Sequence, residues 1–280
     1  MSATAAVPTR PVVMAQAKDE NFPVASILLG RRERGQLLAI YGVARLIDDI
    51  GDEATGDRDA LLDWVDRELD LVFAGEAPEH SAMRALAVSV GEHQLPADPF
   101  RRLVQANRQD QVLTSYQTFD ELLGYCRLSA APVGELVLHV FSAATPERLA
   151  LSERICAGLQ VTEHIQDVAE DYTRGRVYMP REDLARFGCC EADLGTTSAG
   201  PKLRAVIAFE VERARALLRE GAPLARRLPA RPRTAVAGFI AGGRAALESI
   251  ERSGYDVYGT RAPRTRRAFA AAFAGALMGR

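Results

Sequence analysis

The chain has no apolar run of the roughly 18–20 residues that a bilayer-spanning helix needs, and its start lacks the apolar core of a signal peptide. A cytoplasmic protein is the expectation. Cysteine is scarce: Cys126, Cys156, Cys189 and Cys190 stand at spacings that match no zinc pattern and fit a reducing compartment. Four scattered histidines, His80, His93, His139 and His164, support neither a histidine metal site nor a Ser-His-Asp triad. A basic excess is missing too. The formal net charge of −2 speaks against a general nucleic-acid binder. No alternating strand pattern with hairpin turns and no internal repeat occurs, which removes sheet folds and solenoids. The Glu-x-x-His pairs of di-iron bundles are absent. So is Gly-x-Gly-x-x-Gly, although that absence decides little about nicotinamide binding.

What remains is helical periodicity. From about residue 31, Leu37, Leu38, Tyr41, Ala44, Leu46 and Ile47 form a broad apolar face. Further helices are expected over roughly 57–74, 80–93, 98–113, 118–143, 148–173, 201–220, 232–253 and 263–278, with proline- and glycine-rich breaks between them. Residues 1–17 are small, proline-containing and aperiodic, and read as a mobile tail. The fold class expected is all-α, one domain.

Two acidic blocks interrupt this pattern: Asp48-Asp49-Ile50-Gly51-Asp52-Glu53, and Gln160 through Asp171. Asp48 and Asp52 are four apart, as are Asp167 and Asp171, so each pair projects from one side of its helix. Tyr41, Arg45, Asp48 and Asp52 share one stripe; Gln160, Glu163, Asp167 and Asp171 share another. Like charges gathered in this way are reconciled by a multivalent cation. Mg²⁺, which prefers oxygen ligands and shares phosphate oxygens, is the natural choice. Arg45, Arg174 and Arg176 suit the remaining phosphate charge, because guanidinium matches phosphate oxygens in pairs. Carboxylates, metal and arginine together suit a diphosphate leaving group. Gly51, costly inside a helix, is either tolerated near the helix end or leaves room for metal or phosphate.

These blocks, with Ala39 to Arg45, Tyr125 to Gly134 and Gln160 to Pro180, resemble the squalene/phytoene synthase family over about residues 20 to 260. The resemblance implies a helical bundle of the type I isoprenoid synthase kind with a central cavity, formed by residues 18–280. It implies Asp48, Asp52, Glu163, Asp167 and Asp171 as ligands of several Mg²⁺ ions, the four aspartates and Tyr41 as catalytic. Asn21, Phe22, Tyr41, Arg45, Gln160, Gln166, Arg174 and Tyr255 would bind substrate. Glu163 and Gln166 depart from the asparagine and arginine common in the family.

Those departures, with Glu20 to Ser26 and Ser129 to Gly134, are similar to the hopanoid-associated hydroxysqualene synthase branch. That branch ionises presqualene diphosphate, rearranges the carbocation and quenches it with water, without NADPH. The implied partners are a prenyl diphosphate and functional coupling to a presqualene diphosphate synthase; no nucleic acid is expected. The other readings are a condensing enzyme for farnesyl or geranylgeranyl diphosphate and, in another class, a non-catalytic helical assembly factor. A cation-tolerant cavity must be apolar, with Val133, Leu136, Val137, Leu138, Val140 and Phe141 as a candidate wall. Asn107, Ser129 and His164 are candidates to hold the quenching water. Asp110 is a supporting candidate, and His139 reads as a core or rim histidine. The C-terminal stretch with Arg266, Arg267, Phe269, Phe273, Leu277 and Met278 reads first as packing on the bundle, second as a peripheral membrane contact.

Overall fold

Thirteen α-helices and one short 3₁₀ turn account for the regular structure of residues 30–259 and 266–279, the residues that the computed structural model describes. They are α1 (Arg31–Asp52), α2 (Arg58–Ala74), α3 (Ser81–His93), α4 (Asp98–Gln109), α5 (Phe119–Ser129), α6 (Ala131–Val140) and α7 (Pro146–Gln166). Then follow α8 (Val168–Thr173), α9 (Arg181–Arg186), the 3₁₀ turn (Glu191–Gly195), α10 (Pro201–Gly221), α11 (Pro223–Arg226), α12 (Ala230–Arg252) and α13 (Arg266–Leu277). The all-α expectation holds. The expected N-terminal tail, and Asn21 and Phe22, lie outside the described residues.

The chain forms two compact units, each discontinuous in sequence: residues up to 112 with 128–149, and 113–127 with 150–280. In the first unit α1 is the central helix, touching α2, α3, α4 and α6. Its Val43, Leu46, Ile47 and Ile50 are fully buried, three and four apart, which is the spacing of one helical face. Glu68, buried on α2, accepts hydrogen bonds from the backbone N–H groups of Glu79 (3.0 Å) and His80 (2.8 Å), satisfying the start of α3.

In the second unit α10 packs along α12. At Gly221 a Cβ would sit 2.5 Å from Ile155 Cγ1 and 2.8 Å from the Leu151 carbonyl oxygen, so α7 and α10 approach closely because no side chain stands there. A lone parallel bridge joins Ser115 to Val177, and Arg181 N–H donates to the Tyr116 carbonyl (3.0 Å), tying the segment after α8 to the residues before α5.

Two expected helices are divided. The helix expected over 118–143 stops at Ala130, because Pro132 in the first turn of α6 has no N–H to give and disfavours helical geometry before it. The helix expected over 148–173 bends at Asp167, whose φ of −105° and ψ of 13° leave the helical range. Helical hydrogen bonds still cross the bend, from Asp167 N–H to Glu163 O (2.9 Å) and Asp171 N–H to Asp167 O (2.8 Å). Aspartate, whose side chain competes with the backbone, is a weak residue for a helix interior. The helix expected over 98–113 ends at Gln109, and α9, the 3₁₀ turn and α11 had no periodic signal to mark them.

Candidate functional site

The first acidic block closes α1. Asp49, not Asp48, is the deeply buried member: its Oδ1 accepts from Arg45 Nε at 2.8 Å, one helical turn back. This pair aims Arg45 through one nitrogen and makes no further hydrogen bond from its fork among the described residues. Asp48 is half-buried and accepts from Asn107 Nδ2 at 3.1 Å. Burial pushes its carboxyl up to about 6; the Asn107 hydrogen bond pulls it back, and the Asp52 charge raises it again. Asp52, at the end of the helix, is exposed, and Tyr41 is half-buried.

Asn107 explains Gly51. A Cβ on Gly51 would meet Asn107 Oδ1 at 1.9 Å and Cγ at 2.8 Å. Asn107 gives its second amide hydrogen to Leu103 O (3.2 Å), so both donors are spent on acceptors and its orientation is fixed. Gln111 joins them by donating to the carbonyls of Gly51 and Asn107, both at 3.0 Å. The glycine therefore makes room for the side chain that holds Asp48, rather than for metal or phosphate. Asn107, a candidate for holding the quenching water, has both amide hydrogens engaged. Gly51→Ala is expected to lower stability by about 1–3 kcal/mol and to cut turnover, read by thermal unfolding and by diphosphate release. Gly51→Ala with Asn107→Ala should recover much of the stability but not the turnover, since Asp48 stays without its donor.

The second block spans the bend between α7 and α8. Asp167 and Asp171 keep their one-turn spacing across it, and Glu163 precedes Asp167 by one turn. All three are half-buried, and Gln166 is buried. One oxygen, Asp171 Oδ2, is buried and has no hydrogen-bond partner. The nearest cationic candidate is His164 Nδ1 at 3.9 Å, too far for a hydrogen bond. Gln160 Nε2 lies 3.3 Å from His164 Nε2. Arg174 is exposed and spends its charge on Glu170 at 2.8 Å, whereas Arg176 is half-buried.

Around His164 stands an aromatic cluster that no sequence period announced. Tyr178 stacks on it, ring centroids 3.8 Å apart at 13°, and Tyr125 and Tyr116 lie within 6 Å of Tyr178. All four rings are buried. Tyr125 and Tyr178 fall in segments that carry the family resemblance, but neither stands out there by residue type or spacing, and Tyr116 carries no signal.

Tyr255 is half-buried and takes a left-handed φ of 62°, uncommon for a bulky side chain, directly after Gly254 at 65°. Arg204 holds this turn. It donates to Gly254 O (2.7 Å) and Ala199 O (2.7 Å) and pairs with Asp256 (2.6 Å). An unfavourable φ persists where its surroundings are fixed to this degree.

The candidate wall on α6 is partly ordinary core. Leu136, Leu138 and Val140 are buried, and α6 packs on α1 and α4. Val133, Val137 and Phe141, four apart, form the less buried stripe, with Val133 39% exposed.

Among the described residues, no three His, Cys, Asp or Glu side chains gather closely enough to chelate an ion unaided. Mg²⁺ binds through one or two carboxylates and completes its shell with water and phosphate oxygens, so it does not require a closed protein cage. The unpartnered Asp171 oxygen is a group that a cation would satisfy, and so, separately, is the half-buried Asp48 carboxylate, so each block by itself fits the ion.

Comparison with known proteins agrees with this chemistry. The squalene/phytoene synthase family model matches residues 15–268. A hydroxysqualene synthase from Rhodopseudomonas palustris is 38% identical over 211 residues, 74% of this chain and 71% of that protein. A 15-cis-phytoene synthase from Synechococcus elongatus is 31% identical over 257 residues, 87% and 83% of the two chains. Among solved structures, squalene synthase HpnC from Alicyclobacillus acidocaldarius superposes with a TM-score of 0.81 at 40% identity, covering 91% of this chain and 99% of that one. A family model matched over nearly the whole length, two enzymes above 30% identity and a shared helical fold have one explanation: the chain belongs to the squalene/phytoene synthase family, whose members act on prenyl diphosphates.

Proposed function

We propose that the protein is a hydroxysqualene synthase. It ionises presqualene diphosphate, lets the cyclopropylcarbinyl cation rearrange, and adds water to give hydroxysqualene, diphosphate and a proton. The observation that carries this reading over a phytoene-type condensation is the 38% identity to a hydroxysqualene synthase. Glu163 and Gln166 in the second acidic block, in place of the asparagine and arginine common in the family, support it.

Mg²⁺ would be held by Asp48 and Asp52 on α1 and by Glu163, Asp167 and Asp171 on α7 and α8, where it neutralises the charge that develops on the leaving diphosphate. Arg45, aimed by Asp49, offers its free guanidinium nitrogens to phosphate oxygens. Asn107 fixes the Asp48 carboxylate, so its lone pairs need no reorganisation when charge develops. Tyr41, Gln160, Arg174 and Tyr255 are proposed to contact the substrate, with Tyr255 held by the Arg204 turn. Gln166, uncharged, makes a weaker phosphate contact than the family's arginine would. Near Asp171, Tyr125 and Tyr178 bring aromatic faces, which stabilise positive charge without attacking it.

The two candidate substrates separate the readings. With Mg²⁺ and no NADPH, presqualene diphosphate should be consumed and farnesyl diphosphate left almost untouched. Rapid turnover of farnesyl diphosphate alone would instead assign the chain to the condensing enzymes. A protein that consumes neither would fit the helical assembly factor.

A further inference from the structure

The end of α1 gathers negative charge at the unfavourable pole of a helix. Asp48, Asp49, Asp52 and Glu53 stand where the peptide dipoles already present their negative end, and the last turn holds no basic residue of its own. Such a helix end stays closed when a cation or another donor meets its open carbonyls. Asp52 is the last helical residue, so it is the first that fraying would release.

Two other segments supply the donors. Gly51 O accepts from Gln111 Nε2 at 3.0 Å. Asp52 O accepts from Arg58 Nη2 at 3.1 Å. The same guanidinium reaches Ala54 O through Nε (3.0 Å) and Gln111 Oε1 through Nη1 (3.4 Å). Arg58 thus grips the main chain on both sides of Glu53, together with the glutamine that holds the preceding carbonyl. All three of its nitrogens donate to neutral oxygens, and it pairs with no carboxylate among the described residues. Its own helix does not account for its position. Arg58 opens α2 directly after the N-cap Asp57, where a cation opposes the helix dipole.

We propose that Arg58, with Gln111, is a positioning residue that keeps α1 helical through Asp52, so that this carboxylate stands one turn from Asp48 before a cation arrives. The proposal rests on the reading of Asp48 and Asp52 as Mg²⁺ ligands. Carboxylates four apart face the same way only while the turn between them is closed. Arg58 acts through the main chain, since its nitrogens are engaged there and not on phosphate. The sign of the effect separates positioning from charge. Deleting a cation beside a metal site strengthens cation binding by removing repulsion, whereas loss of positioning weakens it.

The first test uses the metal-free full chain. Glu53 and Ala54 N–H donate to Asp49 O at 2.9 and 3.0 Å. In Arg58→Ala these two amides should exchange hydrogen about tenfold faster or more, while Leu46, Ile47 and Ile50 exchange as in the parent. Titrated with Mg²⁺ at fixed inorganic diphosphate, the variant should need about tenfold more Mg²⁺ for half of the thermal stabilisation. Its turnover should fall at low Mg²⁺ and return at saturating Mg²⁺, with the KM for prenyl diphosphate measured there near the parent's. Arg58→Lys, able to reach one carbonyl only, should lie between. Arg108→Ala removes a cation from the face of the same α2, where it pairs with Asp63 (2.7 Å) and Asp66 (3.0 Å), and should leave the Mg²⁺ requirement unchanged. Unchanged exchange at Glu53 and Ala54 would overturn the proposal. So would a Mg²⁺ requirement in Arg58→Ala equal to or below the parent's. A parent that gains no stability from Mg²⁺ and diphosphate would refute the metal reading and the proposal with it. Exchange, measured without metal, tells the two failures apart.

Discussion

Replacing Asp48 and Asp52 together by asparagine is expected to lower diphosphate release by about 10³-fold or more while leaving the fold intact. Metal-held charge is worth several kcal/mol in a transition state that expels an anion, and every 1.36 kcal/mol is tenfold in rate. The fold should survive because neither carboxylate supports the core. Asp52 is exposed, and burial of Asp48 already raises its carboxyl to about 6, so neutralising it relieves a cost. The core face of α1 is carried by Val43, Leu46, Ile47 and Ile50 instead. Thermal unfolding separates the two roles. The parent should gain stability when Mg²⁺ and inorganic diphosphate are added together, by linkage. The variant should unfold near the parent's ligand-free temperature and gain nothing.

The second large effect concerns stability. Arg213 on α10 pairs with Asp183 and with Glu210 (2.9 Å), both carboxylates almost wholly buried, and its guanidinium lies over Phe119 (4.3 Å) and Phe209 (4.4 Å). One cation thus serves two carboxylates, and Glu210 Oε2 has no hydrogen-bond partner. Burial pushes Glu210 up to about 8; Arg213 pulls it down, and Asp183 pushes it up again. Arg213→Ala is expected to cost about 3–5 kcal/mol, because it strands Asp183 in the interior.

The same cluster sets a pH dependence. The unfolded chain loses the Glu210 proton near 4.5 and the folded chain near 8. Between those values the unfolded state binds fewer protons, so the contribution of this group falls as pH rises. Glu210→Gln should flatten the slope and raise the stability relative to the parent at the alkaline end, by about a few kcal/mol at most. An unchanged profile of unfolding against pH would show that the group does not titrate in this range.

Much of this was legible because it is local. Carboxylates four apart fix which side of a helix they share, and prolines and glycines marked most helix ends. The Arg45–Asp49 pair follows the same one-turn rule, but the sequence does not mark Asp49 as the buried acid of its block, so the sharing of Arg45 between Asp49 and phosphate shows only in the fold. Pro132 lies inside the expected helix 118–143, where the apolar pattern runs on across the point at which the proline divides it. What sequence could not show depends on distant partners. The reason for Gly51 is an asparagine on α4, and the ring cluster of Tyr116, Tyr125, His164 and Tyr178 draws on separate segments. Nothing in the sequence around Asp183 and Glu210 marks the burial that the fold imposes on them.

The most direct measurement is the fate of oxygen in the product. Incubated with Mg²⁺ and presqualene diphosphate in ¹⁸O-labelled water, without NADPH, the protein should yield a C30 alcohol carrying one labelled oxygen, together with diphosphate. Squalene formed only on addition of NADPH, or an alcohol free of label, would contradict the account.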